Sequence, residues 1–501
     1  MVNGALVATG LLLAFQLPTF RTSTRLVQIN VVVRDKNGPV PDLAQGDFTI
    51  TDRGKRREIS VFSITRLGPQ ANAAALPPNT FSNRAQNGGN ANGSVTIVLL
   101  DALNTLHFGT AFTDLAGPTR FENNSLAYSK IQVMKFVREL DPKNRVAIYA
   151  LGRSLRVLCD FTSDAAQLQR VLAEYRDSPV TLAEVAEPPA SHLATTPEFN
   201  AAIDSGNQKN AVLANSDRAG LTFAALIAIA NHAADIPGRK NLVWLTASLP
   251  FTAQAIARIM SRSNVAIYPV DARGLISSFN PYFRPVGQGE MQELANETGG
   301  VAFYNNNDLS TAIRNATDDA DETYTLGFYL NSDELDGKFH EVKIRVDRPH
   351  VDVRYPSGYF AVKDDSTASQ RQRALRNAMA SPIESSAIHI LAQVDRSAAA
   401  LRVTGSVDLH DLHLTESGTQ RKGAIEFFVT QQDAAGNLLA QSHNRVNLAL
   451  SPDQFKDYLK SGVFFRQDIA PKNGAVSLRI IAGDPATGLV GSLIIPLQNG
   501  N

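Results

Sequence analysis

The stretch Thr96–Asp101 reads TIVLLD and decides the fold predicted for this 501-residue sequence. It is a continuous apolar run that ends in an acid, and such runs are typical of strands buried on both faces of a parallel sheet. Three later segments repeat the pattern: RVAIYAL (Arg145–Leu151), NLVWLT (Asn241–Thr246) and NVAIYPVD (Asn264–Asp271). Segments with helical periodicity separate them. This alternation predicts an α/β region with a doubly wound, mainly parallel sheet over residues 94–321.

Alternating apolar and polar residues on either side of this region predict half-buried strands. Residues 26–67 contain VQINVVV and DFTITD, and residues 322–362 contain YTLGFYL and KFHEVKIRV. Because the earlier segment is too small to fold alone, we predict that the two pair in a β-sandwich into which the α/β region is inserted. Residues 387–499 are predicted to be β throughout and to form a separate C-terminal sandwich. Two segments are predicted to be linkers: 68–93, which has no periodicity, and 363–386, which is polar and contains a short helix-like part, QRQRALRNAM.

Composition excludes several classes of protein. The 48 Lys and Arg residues balance the 48 Asp and Glu residues, which argues against a nucleic-acid partner because such binders are usually basic. The single cysteine, Cys159, excludes both an intramolecular disulfide framework and a Cys-based zinc site. Its place at the end of an apolar strand predicts a small buried hydrophobic residue.

The N-terminus contains one apolar run, ALVATGLLLAFQL (Ala5–Leu17). A membrane-spanning helix needs roughly 20 residues, so no spanning helix is predicted. The run fits the apolar core of a secretory signal peptide. We therefore predict that residues 1–25 form a signal segment and that the protein is secreted, periplasmic or on the cell surface. The alternative is a frayed or buried N-terminal segment.

Several segments, taken in order, resemble those of von Willebrand factor type A (VWA) domain proteins. They are VQINVVVRDKNGPVPDLAQGDFTITDRG, IVLLDALNT, RVAIYAL, GRKNLVWLTASLP, AIYPVDARGL and DGKFHEVKIRVDRPHVDVRYPSGYFA. More narrowly, residues from about Leu26 to Ala361 look like the VWFA-related domain proteins of acidobacteria. The resemblance implies an inserted α/β domain, export from the cell and a binding or adhesive function. It implies no established catalytic activity.

The resemblance also implies where a metal-ion-dependent adhesion site would lie. In type A domains a DxSxS loop supplies oxygen ligands, and a Thr from a second loop and an Asp from the fourth strand complete the site. Here the loop is DALNT, so Asp101 and Thr105 match its first and last positions, whereas Leu103 cannot bind a metal. Thr222 is the hydroxyl nearest the expected second loop, and Ala247 stands where the second acid belongs.

This pattern predicts a degenerate site for Mg²⁺ or another divalent cation, with Asp101 and Thr105 as ligands. One carboxylate alone would bind Mg²⁺ weakly, because the number of charged ligands sets much of the affinity. Oxygens of Asn104, Ser248 or Asp271 could compensate. The alternative is that Asp101 accepts backbone N–H bonds and caps a helix or turn.

Ligands of such sheets bind beyond the carboxyl ends of the strands. We predict that a protein partner docks at this edge, which would be lined by Asn104, Thr222, Thr246, Ser248 and Asp271. Residues 176–216 are predicted to lie nearby, because loops carry recognition more often than the scaffold does. Two alternatives stay open. One is a hydrolase that uses Asp101 and Asp271 as paired carboxylates, and the other is an inert structural edge.

Other motifs give weaker signals. His410 and His413 are three residues apart, but the segment has the pattern of a strand followed by a turn, so both are interpreted as surface histidines. No G-x-S-x-G, P-loop or G-x-G-x-x-G motif stands at a strand end, so acyl-transfer and nucleotide-binding functions lack their usual support.

Overall fold

The computed structural model of the chain describes residues 25–66, 76–84, 95–105, 124–176, 217–234, 236, 238–273, 287–361, 368–381, 383–396, 400–433 and 437–497. The predicted signal segment, except Arg25, and residues 177–216 of the predicted recognition segment lie outside these ranges. Among the described residues, no helix is long and apolar enough to cross a membrane. The prediction of a mixed α/β fold with several sheets is confirmed.

Strands dominate the described chain. They are β1 Arg25–Asp35, β2 Gly38–Pro39, β3 Phe48–Asp52, β4 Lys55–Arg57, β5 Val61–Arg66, β6 Thr80–Ser82, β7 Val95–Asp101, β8 Arg145–Leu151, β9 Leu155–Thr162, β10 Lys240–Thr246, β11 Val265–Asp271, β12 Glu322–Leu330, β13 Phe339–Val346, β14 Asp352–Arg354, β15 Gly358–Phe360, β16 Ile390–Arg396, β17 Leu401–Val407, β18 Thr415–Ser417, β19 Gln420–Gln432, β20 Leu438–Leu450, β21 Val463–Ile469, β22 Ser477–Gly483 and β23 Val490–Pro496.

The α-helices lie in the segments that connect some of these strands. They are α1 Asn124–Arg138, α2 Ala165–Glu174, α3 at residues 217–232, α4 Ala253–Arg262, α5 Gln288–Thr298, α6 Leu309–Asp318, α7 Ala368–Ala380 and α8 Pro452–Ser461. Short 3-10 helices lie at Gln45–Asp47, Ser332–Glu334 and Leu409–Asp411.

The central sheet has the strand order β11-β10-β7-β8-β9. The first four strands run parallel, and β9 is the antiparallel hairpin partner of β8. Every residue of β7, β10 and β11 is buried, as their continuous apolar runs predict. Ile97 and Leu99 pack in one core with residues of α3 and α4, while Val98 and Leu100 pack in a second core with α1 and α6. The sheet therefore separates two hydrophobic cores.

Strands from before and after this sheet share two further sheets. β1 pairs antiparallel with β12 from Arg25↔Leu330 to Val31↔Tyr324, and β3 pairs antiparallel with β13. The two sheets have the orders β14-β1-β12-β5 and β15-β13-β3-β4. Their inner faces form one apolar core, with Phe48 and Tyr324 in ring contact at 5.2 Å between centroids. We call these strands the split β unit.

One buried carboxylate joins the split β unit to the central sheet. Asp319 directly follows α6, and its side chain is inaccessible to solvent. It accepts hydrogen bonds from Arg34 of β1 at 2.7 Å, from Arg354 of β14 at 2.6 Å and from the hydroxyl of Tyr268 in β11 at 2.7 Å. Burial raises the pKa of Tyr268, which keeps its hydroxyl protonated as a donor.

The C-terminal residues form two sheets around a fourth hydrophobic core, and the predicted first linker contributes a strand to one of these sheets. The segment 68–93 contains β6, which pairs with β16 at the edge of the order β21-β17-β16-β6. The linker prediction is therefore wrong for these residues. At three residues, β6 is too short to show the alternation by which strands are recognised in a sequence.

Two helices bear on other predictions. α7 covers the helix-like part QRQRALRNAM of the predicted linker 363–386, and its Leu375 and Ala378 pack against Ile481 of β22. Residues 387–499 are not β throughout, because α8 lies between β20 and β21. Its signal was present in the sequence: Ser451 caps the helix with a reciprocal Gln454 contact, and Pro452 occupies the first turn.

Residues 383–386, which precede the C-terminal sandwich, contact the end of α3 through hydrogen bonds. The backbone N–H of Ser386 donates to the carbonyl of Asn231 at 3.2 Å. The ring of His232 lies 2.9 Å from the carbonyl of Glu384 through Nδ1 and 3.1 Å from Asp160 through Nε2. Burial raises the pKa of Glu384 to about 7, although its carboxylate accepts a 2.6 Å hydrogen bond from the N–H of Ile494.

Raising the pH is expected to weaken this junction. The pKa of a glutamate is ordinarily 4.5, as in the unfolded chain, whereas the pKa of Glu384 in the folded protein is about 7. The stabilisation of the folded protein by protonated Glu384 is therefore complete below pH 4.5 and is lost as the pH rises to 7. The loss has an upper bound of about 3 kcal/mol. The change Glu384→Gln should flatten the fall in unfolding free energy between pH 5 and pH 8, measured by urea denaturation. Glu416→Gln, at an exposed site, should leave the pH dependence of the unfolding free energy unchanged. If this dependence is equally steep in the unmodified protein and in both variants, the raised pKa of Glu384 is contradicted.

Candidate functional site

The carboxyl end of β7 places Asp101 at the centre of an enclosed polar network. Its side chain is inaccessible to solvent. Oδ1 accepts from the backbone N–H of Asn104 at 2.9 Å. Oδ2 accepts from Asn104 Nδ2 at 2.8 Å, from Trp244 Nε1 at 2.8 Å and from Thr246 Oγ1 at 2.9 Å. Four donors, two from the turn after β7 and two from the neighbouring strand β10, therefore surround a single carboxylate.

Most of the other residues predicted at this edge join the same network. The hydroxyl of Thr105 donates to the carbonyl of Asp101, which closes the turn after β7. Thr222 Oγ1 accepts from Asn104 Nδ2 at 2.9 Å and donates to the carbonyl of Arg218 at 2.9 Å. Ser248 Oγ donates to the carbonyl of Asn104 at 3.2 Å. The turn after β7 is therefore held against both α3 and the end of β10.

Asp271 does not join this network. Both of its carboxylate oxygens contact Arg273, with Oδ1 2.8 Å from Nε and Oδ2 2.7 Å from a terminal nitrogen. Its strand pairs Asp271 with Thr246, and β10 lies between β11 and β7. Asp101 and Asp271 are thus two strand spacings apart, or roughly 10 Å. Each carboxylate is engaged by its own donors, so no described contact supports the paired-carboxylate hydrolase, which stays a prediction.

The electrostatic environment of Asp101 combines burial with a nearby cation. Burial raises the pKa of Asp101, and the hydrogen bonds from Asn104, Trp244 and Thr246 oppose that rise. The guanidinium of Arg218, one turn before Thr222 in α3, is close enough for its charge to interact with Asp101. Burial lowers the pKa of Arg218, and the carboxylate opposes this shift.

The described residues do not fit a divalent cation at Asp101. Mg²⁺ requires oxygen ligands in near-octahedral geometry, whereas three of the four groups bound to this carboxylate are N–H donors. Leu103 and Ala247 are buried apolar residues at two expected ligand positions. Asn104 Oδ1 is a buried oxygen without a hydrogen-bond partner among the described residues, but one neutral oxygen cannot replace the missing acid.

Trp244 is the member of the network to which no sequence motif points. It is the single tryptophan of the chain and is fully buried. Residues two apart on a strand face the same side, so the choice of Thr246 could have pointed to Trp244 as well. An indole N–H almost always finds an acceptor when it is buried, and the end of the neighbouring strand supplied one.

Comparison with known proteins gives only distant structural similarity. No family model and no curated protein matches the chain. An aerotolerance-related membrane protein from Bacteroides fragilis NCTC 9343 is 16% identical and aligns over 45% of this chain and 98% of its own, with a TM-score of 0.27. The protein BatB from Bacteroides thetaiotaomicron is 16% identical over 46% and 99%, with a TM-score of 0.28.

A third solved structure carries the VWA name. The ArnB paralog VWA2 from Sulfolobus acidocaldarius is 9% identical and aligns over 62% of this chain and 76% of its own, with a TM-score of 0.25. TM-scores at this level carry no argument about function. The assignment of function therefore rests on the geometry of the edge around Asp101.

Proposed function

We propose that this chain is an exported, non-enzymatic binding protein that contacts a protein partner without a bridging metal ion. In this proposal the central sheet and its helices form a VWA-like, doubly wound unit that is inserted in a β-sandwich formed by the split β unit. The partner docks at the edge around Asp101. The observation that carries the proposal is the enclosure of the Asp101 carboxylate by four hydrogen-bond donors.

This enclosure argues against chemistry at Asp101. A general base must be within hydrogen-bond reach of the proton that it removes, and a metal ligand needs a lone pair directed at the ion. Both oxygens of Asp101 instead accept protein N–H or O–H groups, and none of the side chain is exposed. The degenerate adhesion site is therefore proposed to be a structural remnant that shapes the edge.

The same enclosure favours binding through a rigid surface. The network fixes the turn after β7 against α3 and the end of β10, and a surface that is ordered in advance loses little conformational entropy when a partner binds. Leu221 lies beside Thr222 in α3 and is 40% exposed. Ser248, Leu249 and Pro250 are half-buried after β10. This mixture of apolar and polar groups suits a protein partner.

Site-directed photocrosslinking would test the proposal. A benzophenone amino acid placed at Leu221 is expected to give a discrete covalent adduct in cells that make the protein, and the adduct should persist in EDTA. Ile131 of α1 is 61% exposed and provides a matched control site, which should give no such adduct. Equal labelling from both sites, or an adduct that requires Mg²⁺, would contradict metal-free binding at this edge.

Calorimetric titration with Mg²⁺ would test the metal component separately. The His389→Ala protein should be used, because His389, Asp408 and Asp411 form a separate cluster of side chains that could bind a metal ion and contribute heat. We expect no binding heat and the same thermal midpoint in Mg²⁺ and in EDTA. Binding heat that disappears in a folded Asp101→Asn variant would contradict the proposal. Fractionation of the cells with mass spectrometry of the mature N-terminus would test export.

A further inference from the structure

A cluster of one histidine and two aspartates lies in the C-terminal sandwich, far along the chain from the edge around Asp101. His389 directly precedes β16, while Asp408 and Asp411 follow β17. Each offers one ligand atom, and the three atoms lie within 4.8 Å of one another. The side chains of His389, Asp408 and Asp411 are 14%, 26% and 20% exposed, so the cluster is partly enclosed yet reachable from solvent.

Well-packed neighbours fix the histidine side of the cluster. Ile388 and Ile390 are fully buried, so the alternation of the chain turns His389 away from the core. The side chain of Asn83 accepts from the N–H of Ile390 at 2.7 Å and donates to the carbonyl of Ile388 at 2.8 Å. The backbone around His389 is therefore held on both sides.

The acidic side is held equally well. Leu409 and Leu412 anchor the 3-10 helix in the sandwich core. Asp408 caps that helix by accepting from the N–H of His410 at 3.0 Å, and its own N–H donates to the carbonyl of His389 at 3.1 Å. The two acids and the imidazole thus project from one rigid hydrogen-bonded corner.

We propose that His389, Asp408 and Asp411 form a site for a divalent transition-metal ion of the Zn²⁺ class. One imidazole nitrogen and two carboxylate oxygens suit an ion of borderline softness, with water or another side chain in the remaining position. Ligand atoms about 2.0–2.2 Å from a tetrahedral ion lie roughly 3.4 Å apart. That separation falls between the 2.7 Å from His389 Nδ1 to Asp411 Oδ2 and the 4.8 Å limit of the cluster, so only small shifts of the side chains are needed. His410 Nδ1 lies 2.8 Å from Asp408 Oδ1, so His410 is a candidate for the fourth ligand.

Arg84 provides the positive charge that the two acids require when no ion is bound. Its guanidinium lies 3.0 Å from Asp408 Oδ2 and 3.3 Å from His389 Nδ1. Its side chain is 58% exposed, so it can move into solvent at low cost. Two carboxylates and one guanidinium give the corner a charge of −1, which becomes −2 when Arg84 leaves and then balances a divalent ion.

The two histidines noted in the sequence, His410 and His413, are not the residues on which this site is built. His410 is 61% exposed and His413 is also exposed, as predicted for surface histidines. The segment after β17 is a 3-10 helix rather than a simple turn, and it brings Asp408 and Asp411 to one side. The proposed histidine ligand, His389, directly precedes β16 and stands 22 positions before Asp411, so the sequence spacing did not point to it.

Titration with Co²⁺ would test the site, because tetrahedral Co²⁺ gives a strong visible absorption. The tag-free, full-length protein should first be stripped of metal with a chelator. We expect saturation at one equivalent and displacement by Zn²⁺. His389→Ala and the nearly isosteric Asp411→Asn should each weaken binding by at least about tenfold. Arg84→Ala should strengthen binding, because it removes the competing cation.

Matched controls keep the result decisive. His443→Ala removes a histidine that stacks on Phe428 in another sheet, and it should bind Co²⁺ like the unmodified protein. Circular dichroism should confirm that each variant is folded. An absence of Co²⁺ absorption in the unmodified protein, or equal affinity in the folded Asp411→Asn and unmodified proteins, would overturn the proposal. Neither outcome affects the binding function proposed at the Asp101 edge.

Discussion

Asp319→Ala is expected to lower the free energy of unfolding by about 3–5 kcal/mol, as removal of one partner from a buried ion pair typically does. The side chains of Arg34 and Arg354 are only 14% and 18% exposed, so both lose their carboxylate in places where water can replace it poorly. The hydroxyl of Tyr268 also loses its acceptor. Urea denaturation followed by the fluorescence of Trp244 and by circular dichroism would measure the change.

Asp352 supplies a matched control for this prediction. It also pairs with Arg354, with Oδ2 2.7 Å from Nε, but its own side chain is 61% exposed. Because exposed ion pairs contribute little, Asp352→Ala should cost less than about 1 kcal/mol. Similar losses in the two variants would show that burial of Asp319 does not govern its contribution, and that the junction between the split β unit and the central sheet is held in another way.

The sequence predicts the buried strands well because their signal is local. The run TIVLLD becomes β7, and NLVWLT becomes β10, each with one additional residue at its start. A strand buried on both faces needs apolar side chains at nearly every position, so it is recognised in the sequence as a continuous apolar run. Short elements such as β6 carry too few residues to show any period, so they were assigned to linkers.

Long-range polar contacts could not be predicted in the same way. Arg34 and Asp319 are separated by 285 positions, and neither stands in a pattern that points to the other. His389 and Asp411 are joined through the pairing of β16 with β17, whose register places the two ends together. Such contacts depend on strand register and packing, which hydrophobic periodicity does not specify.

The edge around Asp101 contains some features that the sequence predicts and others that it does not. Parallel strands bring their carboxyl ends to one edge, so Asp101, Thr246 and Asp271 could be placed there from the sequence alone. Which of these residues share a hydrogen bond depends on β10, which lies between β7 and β11, and on donors such as Trp244. The family pattern directed attention to oxygen ligands, whereas nitrogen donors decide the chemistry of this carboxylate.

Asp101→Ala is expected to lower the free energy of unfolding by about 3–5 kcal/mol, because four buried donors, three on Oδ2 and one on Oδ1, would lose an acceptor that water cannot replace. Asp101→Asn is the informative companion. Its amide oxygen can take the position of Oδ2 and keep those three bonds, while its amide nitrogen faces the N–H of Asn104. That variant should therefore lose only about 1–3 kcal/mol. Urea denaturation would measure both changes.

The same pair of variants connects stability to the proposed binding function. If the network serves to hold the turn after β7 against α3, then folded Asp101→Asn protein should retain the photocrosslink from Leu221. Asp101→Ala protein, measured at a temperature where it is still folded, should lose most of that adduct because the turn is no longer fixed. If both variants crosslink like the unmodified protein, the network stabilises the fold without shaping the binding edge. If Asp101→Ala protein unfolds no more easily than the unmodified protein, the inference that the enclosed carboxylate stabilises the fold is contradicted.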